Sequence, residues 1–174
     1  MKKLLLLTFI IVAVFISCKH PSEEEYYPIL PDYSSGFDMV FDNIPDLGLS
    51  TILSVMGWVS EEIDYVPDYV YHNVDEYWQS PGETYDMQTG DCEDYSILAM
   101  YLIYRRDIEP KIIPEMVVGY MYKGSGLHAW VRVDGEDWEP QSGSKVYTYI
   151  TLYTIAYEEA IYRSNTTHKA LRKK

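Results

Sequence analysis

Two side chains in this 174-residue sequence, Cys92 and His128, have the types and settings for covalent chemistry. Cys92 sits in Gly90-Asp91-Cys92-Glu93-Asp94, where a helix is expected to begin. His128 sits in Leu127-His128-Ala129-Trp130, on an expected strand. A lone thiol at a helix start and a strand-borne imidazole are the parts of a cysteine nucleophile site. The thiol must become a thiolate to attack a carbonyl, and the first turn of a helix favours that charge. Glu93 and Asp94 put carboxylates on the same turn and oppose it, so a nearby imidazolium is needed, with His128 the candidate.

The imidazole in turn needs an acceptor for its far nitrogen. Asp134-Gly135 is a two-residue hairpin signal. With that loop Val133 pairs with Glu136, Trp130 faces Glu139 and His128 faces Gln141. The four side chains of His128, Trp130, Glu139 and Gln141 then share one face, with Glu139 diagonal to His128. Asp137 is read onto the opposite face. A one-residue bulge would turn Glu139 away. The oxyanion of a tetrahedral intermediate needs donors as well. The backbone N–H of Cys92 is one; the second is either the indole N–H of Trp78 or the amide of Gln79. Trp130 is assigned to substrate binding. The inert alternative is a buried helical Cys92 beside a core histidine.

The elements that must bring these groups together follow from the apolar spacing. Leu49, Ile52, Leu53, Met56, Val59 and Ile63 recur at three and four, predicting a helix from about Asp46 that Pro67 ends. A looser stretch covers Tyr69 to Trp78, Ser80-Pro81-Gly82 is a turn, and Glu83 to Gln88 form a short helical turn. Asp91 is the expected N-cap of a helix running through Ile97, Leu98, Met100, Leu102 and Ile103 to Arg105-Arg106, apolar on nearly every face and so buried. Strands are predicted over Ile112 to Tyr122, His128 to Val133, Asp137 to Gln141 and Tyr147 to Tyr153, then a short helix over Tyr157 to Arg163. Helices first and antiparallel strands after make an α+β domain.

At the N-terminus, Lys2 and Lys3 precede an apolar run from Leu4 to Ile16, the pattern of a signal peptide over residues 1–17. Phe15-Ile16-Ser17-Cys18 resembles the lipobox of bacterial lipoproteins, with Phe15 where Leu is usual. Cleavage before Cys18 would leave that sulfur lipidated and Cys92 without a disulfide partner, in an exported setting where thiols tend to oxidise. Residues 18–36, with Glu23 to Glu25, Pro28, Pro31 and Ser34-Ser35-Gly36, read as a tether. Residues 37–165 are the domain and 166–174 a basic tail. The formal charge of -13 becomes more negative once Lys2 and Lys3 are removed, which excludes binding to nucleic acid through its backbone phosphates. No metal is expected: there is no second Cys beside Cys92, no paired-His spacing, and the carboxylates look scattered. No cofactor is expected either. The 18 tyrosines and four tryptophans supply core.

Trp78-Gln79-Ser80-Pro81, Glu83-Thr84, Gly90-Asp91-Cys92-Glu93-Asp94-Tyr95, His128-Ala129-Trp130-Val131 and Trp138-Glu139-Pro140 together resemble the bacterial transglutaminase-like superfamily. The resemblance covers about Thr51 to Gln141. It implies a papain-like core, with the nucleophile at the start of a helix packed on an antiparallel sheet, and thioester chemistry by a Cys–His–Asp triad. Carried over, Cys92 is the nucleophile and His128 the base; Glu139 stands where Asp before Pro is usual. The expected function is therefore a lipid-anchored peptidase, amidase or acyl transferase acting on protein or cell-wall peptides outside the inner membrane, as a monomer. The alternative is an inactive transglutaminase-like module that binds peptide or glycan in the cell envelope.

Overall fold

The computed structural model describes residues 44–105, 112–122 and 125–171. The signal peptide (1–17), the tether with Cys18, and residues 172–174 of the basic tail lie outside the described residues. No helix among the described residues is long and apolar enough to cross a membrane.

Helix α1 spans Ile52–Glu62. It starts later than its apolar pattern because Thr51 caps it, accepting from the Ser54 N–H while the Ser54 side chain accepts from the Thr51 N–H. Its buried face is Val55, Met56 and Val59, and Leu53, part of the same apolar spacing, is exposed. The chain then lays β1 (Asp64–Tyr65) against β2 (Thr89–Gly90) as a short parallel pair, with Tyr65 opposite Gly90. Between them lie α2 (Asp68–Tyr71), a single turn in the stretch read as loosely helical, and α3 (Pro81–Met87). Ser80 caps α3, and Pro81 at the first position costs no hydrogen bond there, so the predicted turn is the start of the helix itself.

Helix α4 (Cys92–Arg105) is the centre of the domain, buried from Glu93 to Ile103. Its burial follows from an apolar surface that leaves no face for water, and it packs against α1, α3 and the sheet. Five antiparallel strands follow: β3 (Glu115–Tyr120), β4 (His128–Val133), β5 (Glu136–Glu139), β6 (Ser144–Lys145) and β7 (Ile150–Ala156), in the order β6-β5-β4-β3-β7. One sheet face, with Met116, Val118, Ala129, Val131 and Ile155, joins the helical core. The other holds Val117, Trp130 and Val146. The last helix, α5 (Tyr157–Leu171), runs past the predicted Arg163 and into the tail segment.

The β4–β5 register is Val131 with Trp138, Arg132 with Asp137 and Val133 with Glu136, as the two-residue loop demands. Asp134 and Gly135 both take positive φ, 52° and 75°, the conformation of a hairpin turn matched to strand twist. Asp137, read onto the opposite face, shares the face of Glu139, because residues two apart on a strand point the same way. There it forms a bidentate pair with Arg132 at 2.8 and 2.9 Å.

Pairing between β3 and β7 shifts by one residue at Val118/Gly119. Glycine is required at that bulge: a Cβ on Gly119 would overlap the Ile150 carbonyl oxygen and lie 3.0 Å from Trp130 Cη2. Gly119→Ala is expected to cost about 3 kcal/mol by forcing β7 off the sheet. Gly57→Ala, where the added methyl meets nothing within 4 Å on an α-helix, should be neutral or stabilising. Urea unfolding midpoints of the two variants check this; equal midpoints would remove the steric reading of Gly119.

Candidate active site

The start of α4 is built by its own first turn. The Asp91 carbonyl accepts from the Tyr95 N–H at 3.1 Å, and Asp94 Oδ2 reaches back to accept from the Asp91 N–H at 3.2 Å. Asp94 is fully buried, and its Oδ1 accepts from the Gln79 N–H at 2.8 Å, tying the segment before α3 to the helix start. Gly90 makes room for this: a Cβ there would sit 2.6 Å from Asp94 Cβ and 2.9 Å from its Oδ2. The Gly-Asp before the cysteine is thus a steric and hydrogen-bonding device that fixes where Cys92 begins the helix.

Cys92, half-buried on that first turn, is a free cysteine. Its sulfur lies against β4, where the Ala129 N–H donates to it. The thiol itself donates to Glu93 Oε2 at 3.3 Å. Burial pushes the thiol up, with Glu93 and Asp91 adding to the rise, and the Ala129 N–H only partly offsets them. Burial is the largest of these influences, and of the two carboxylates expected to oppose the helix dipole it is Glu93 that acts on the thiol.

His128 is the residue next to Ala129 on β4. Its Nε2 is bound to Glu139 Oε2, and the other carboxylate oxygen, Oε1, accepts from the Gln141 N–H at 3.0 Å. Glu139 is buried, so both oxygens are held and cannot swing to solvent. Because Nε2 donates to the carboxylate, Nδ1 is the ring's accepting nitrogen. The structure thus pairs His128 with Glu139 across β4 and β5, and sets the Cys92 sulfur at the N–H of Ala129, the next residue of β4.

The other predicted site residues are placed differently. Trp78 Nε1 donates to Glu76 Oε1 at 2.6 Å, and the Arg163 guanidinium lies over its ring at 5.4 Å. The Gln79 N–H is taken by Asp94, and its Nε2 lies 3.4 Å from His72 Nε2. Both oxyanion candidates are engaged within the protein. Trp130, read as a substrate contact, is fully buried; its ring lies at 27° to His128 with centroids 6.4 Å apart, so it braces the imidazole from below.

Sequence reasoning missed one feature. The carboxylates read as scattered are gathered: Asp68, Asp91, Glu93 and Asp94 each bring an oxygen within 4.8 Å of the others. Three come from the motif itself, a visible signal, while Asp68 arrives only through the fold of α2. Asp68 Oδ1 is buried without a hydrogen-bond partner, while Oδ2 accepts from the Tyr77 N–H. Burial and Asp91 raise Asp68 to about 7; burial, a hydrogen bond to Asp91 and the charge of Asp94 raise Glu93 to about 11. Burial also lifts Asp94 well above the usual carboxylate range. Four crowded carboxyl groups must share protons or a cation, and this all-oxygen donor set fits a hard divalent ion.

The profile of the transglutaminase-like domain matches residues 46–140. The chain belongs to the transglutaminase-like family. That match takes in α1 to α4, the first strands and Glu139 itself, so the family segment and the site coincide. No curated protein sequence matches the chain. Among solved structures, this transglutaminase-like domain is similar in fold to LapG of Legionella pneumophila, at TM-score 0.50 and 16% identity over 70% of this chain and 75% of that one. EGTA-treated LapG from the same organism matches at TM-score 0.49 and 16% identity, over 60% of this chain and 61% of that one. The chain therefore spans less than two thirds of the length of that second relative.

Proposed function

We propose that this transglutaminase-like chain is a cysteine enzyme that breaks or exchanges amide bonds through a thioester on Cys92, with His128 as acid and base and Glu139 as the orienting carboxylate. One observation carries the reading: the imidazole locked on Glu139 is the chain neighbour of the N–H that holds the Cys92 sulfur. The thiol passes its proton to the imidazole as sulfur bonds to the carbonyl carbon. The imidazolium then gives that proton to the departing amine nitrogen, leaving the acyl group on sulfur. Water or a second amine attacks the thioester, its proton going to the imidazole, and sulfur leaves as the thiolate and takes that proton back as the thiol. The Cys92 N–H, without an intrahelical acceptor at the first turn, is one donor to the oxyanion. Trp78 must release Glu76 to be the other.

The remaining expectations belong to the same proposal. The protein is exported, with Cys18 lipidated after removal of residues 1–17, residues 18–36 hold the domain off the membrane, and it acts as a monomer on proteins or cell-wall peptides. The acidic charge and Pro-rich tether support this setting. A second reading, an inactive module that binds peptide or glycan, is favoured by the raised, half-buried thiol.

Thiol alkylation separates the two. Iodoacetamide is expected to label Cys92 in the unaltered chain and about tenfold or more slowly in His128→Ala, because the variant has no base for the thiol proton. Identical labelling rates in both proteins remove the catalytic pair and leave the binding module.

A further inference from the structure

The sheet face opposite α4 opens into a cleft of about 690 Å³, and its walls include His128, Glu139 and Gln141. Cys92 is not among the described residues that line it. The imidazole and its carboxylate are therefore the members of the candidate site that face this space. In acyl transfer the imidazolium must touch the nitrogen that leaves, so the amine half of the substrate lies on the imidazole side of the thiol. We propose that this cleft seats the leaving amine, and that it selects amines carrying a bulky apolar or aromatic side chain, such as a peptide with Phe, Tyr or Leu directly after the scissile bond. The assignment rests on the reading of Cys92 and His128 given above and names the substrate class of that site.

The walls decide the chemistry. Met121, Tyr122, Leu127, Val146 and Tyr147 supply apolar and aromatic surface around the His128 end. Tyr122, Leu127 and Tyr147 are 66%, 58% and 84% exposed, so they keep apolar area in water that a ligand can cover. The ionisable walls are already paired: Glu139 with His128, and Lys145 with Glu136 at 2.6 Å. A charged side chain entering here would meet no free counter-charge among the described wall residues. Gln141 Nε2 is buried without a hydrogen-bond partner on the same wall, a donor for the carbonyl of the bound residue. A glycine in this position would cover none of the apolar wall, which is why the side chain sets the affinity.

Binding to the full chain carrying Cys92→Ala tests the cleft without needing turnover. Phenylalaninamide is expected to bind at least about tenfold more tightly than glycinamide, measured by titration with NMR detection. Leu127→Ala with Tyr147→Ala should reduce that preference to about threefold or less. Both residues are exposed, so unfolding is not the expected cause, and an unchanged far-UV spectrum verifies it. Equal binding of the two amides, or a preference that survives the double variant, overturns the assignment. The same amides then compete for an acyl group loaded onto the unaltered Cys92, where phenylalaninamide should capture it in the same ratio. If Cys92 loads and the amine preference is absent, the cleft assignment alone falls. If Cys92 neither loads nor alkylates faster than in His128→Ala, the enzymatic reading falls and the leaving-amine role falls with it.

Discussion

Glu139→Gln is expected to lower the rate of Cys92 acylation by roughly 10²–10⁴-fold while leaving the fold intact. The carboxylate has two fixed partners, the His128 ring at Oε2 and the Gln141 N–H at Oε1. Glutamine has the same shape but one acceptor. If its carbonyl stays on the Gln141 N–H, its NH₂ faces His128 Nε2 and forces the ring proton onto Nδ1, so the ring's only accepting nitrogen is spent on the amide. If the amide flips, its NH₂ meets the Gln141 N–H, donor against donor, and the loop is displaced. In the first case the imidazole loses the tautomer needed to take the thiol proton, and in the second it keeps the tautomer but loses its fixed position. Asp137→Asn is the matched control, since Asp137 lies two residues away on the same face but is bound to Arg132. It should change acylation by less than about threefold. Burst kinetics with an activated ester measure both. Equal rates for Glu139→Gln and the unaltered chain would make the His128–Glu139 pair a structural contact only.

A second large effect is in stability against pH. With divalent ions removed by EDTA, the domain is expected to become more stable as the solution is acidified from about pH 8 to about pH 5. Asp68 titrates at 3.8 ordinarily and at about 7 in the fold, and Glu93 moves from 4.5 to about 11. A raised carboxyl binds its proton more tightly folded than unfolded. Its contribution is complete below the unfolded value and disappears as pH climbs through the folded one. For Asp68 that window runs from about 4 to about 7, and screening by nearby water limits the change to roughly 2 kcal/mol. Glu93 extends the same slope upward. Asp68→Asn retains an acceptor for the Tyr77 N–H and abolishes the Asp68 share, so its melting temperature should vary less over the range. A melting temperature that rises with pH in the unaltered chain would show the cluster to be ionised and neutralised by something other than protons.

These two results bear on one tension in the site. The proposed function asks His128 and Glu139 to act as base and orienting group, yet burial, Glu93 and Asp91 push the Cys92 thiol up. Under the proposed function, thiolate formation at neutral pH is favoured by protonation of the carboxyl cluster that includes Asp68 and Asp94.

The local pattern of the sequence carried the His128–Glu139 pairing and the helix start at Cys92. Asp134-Gly135 determined the β4–β5 register, because a two-residue turn admits only one pairing, and from that register followed the meeting of His128 and Glu139. Gly90-Asp91-Cys92 marked the helix start, because only glycine fits against the returning Asp94 carboxylate. Apolar residues on nearly every face of α4 foretold its burial. Long-range placement was decided by the tertiary structure alone. Asp68 joins the motif carboxylates through a one-turn helix that no periodicity marks, Trp130 is sealed beneath the imidazole by Val117 and Val146, and Trp78 and Gln79 are claimed by Glu76 and Asp94. The β7 strand begins later than its pattern because pairing at the Gly119 bulge, rather than side-chain alternation, fixes an edge strand exposed along most of its length. Periodicity and turn chemistry act over a few residues and are written in the sequence; charge, burial and hydrogen-bond competition depend on neighbours far along the chain, and only the folded packing supplies them.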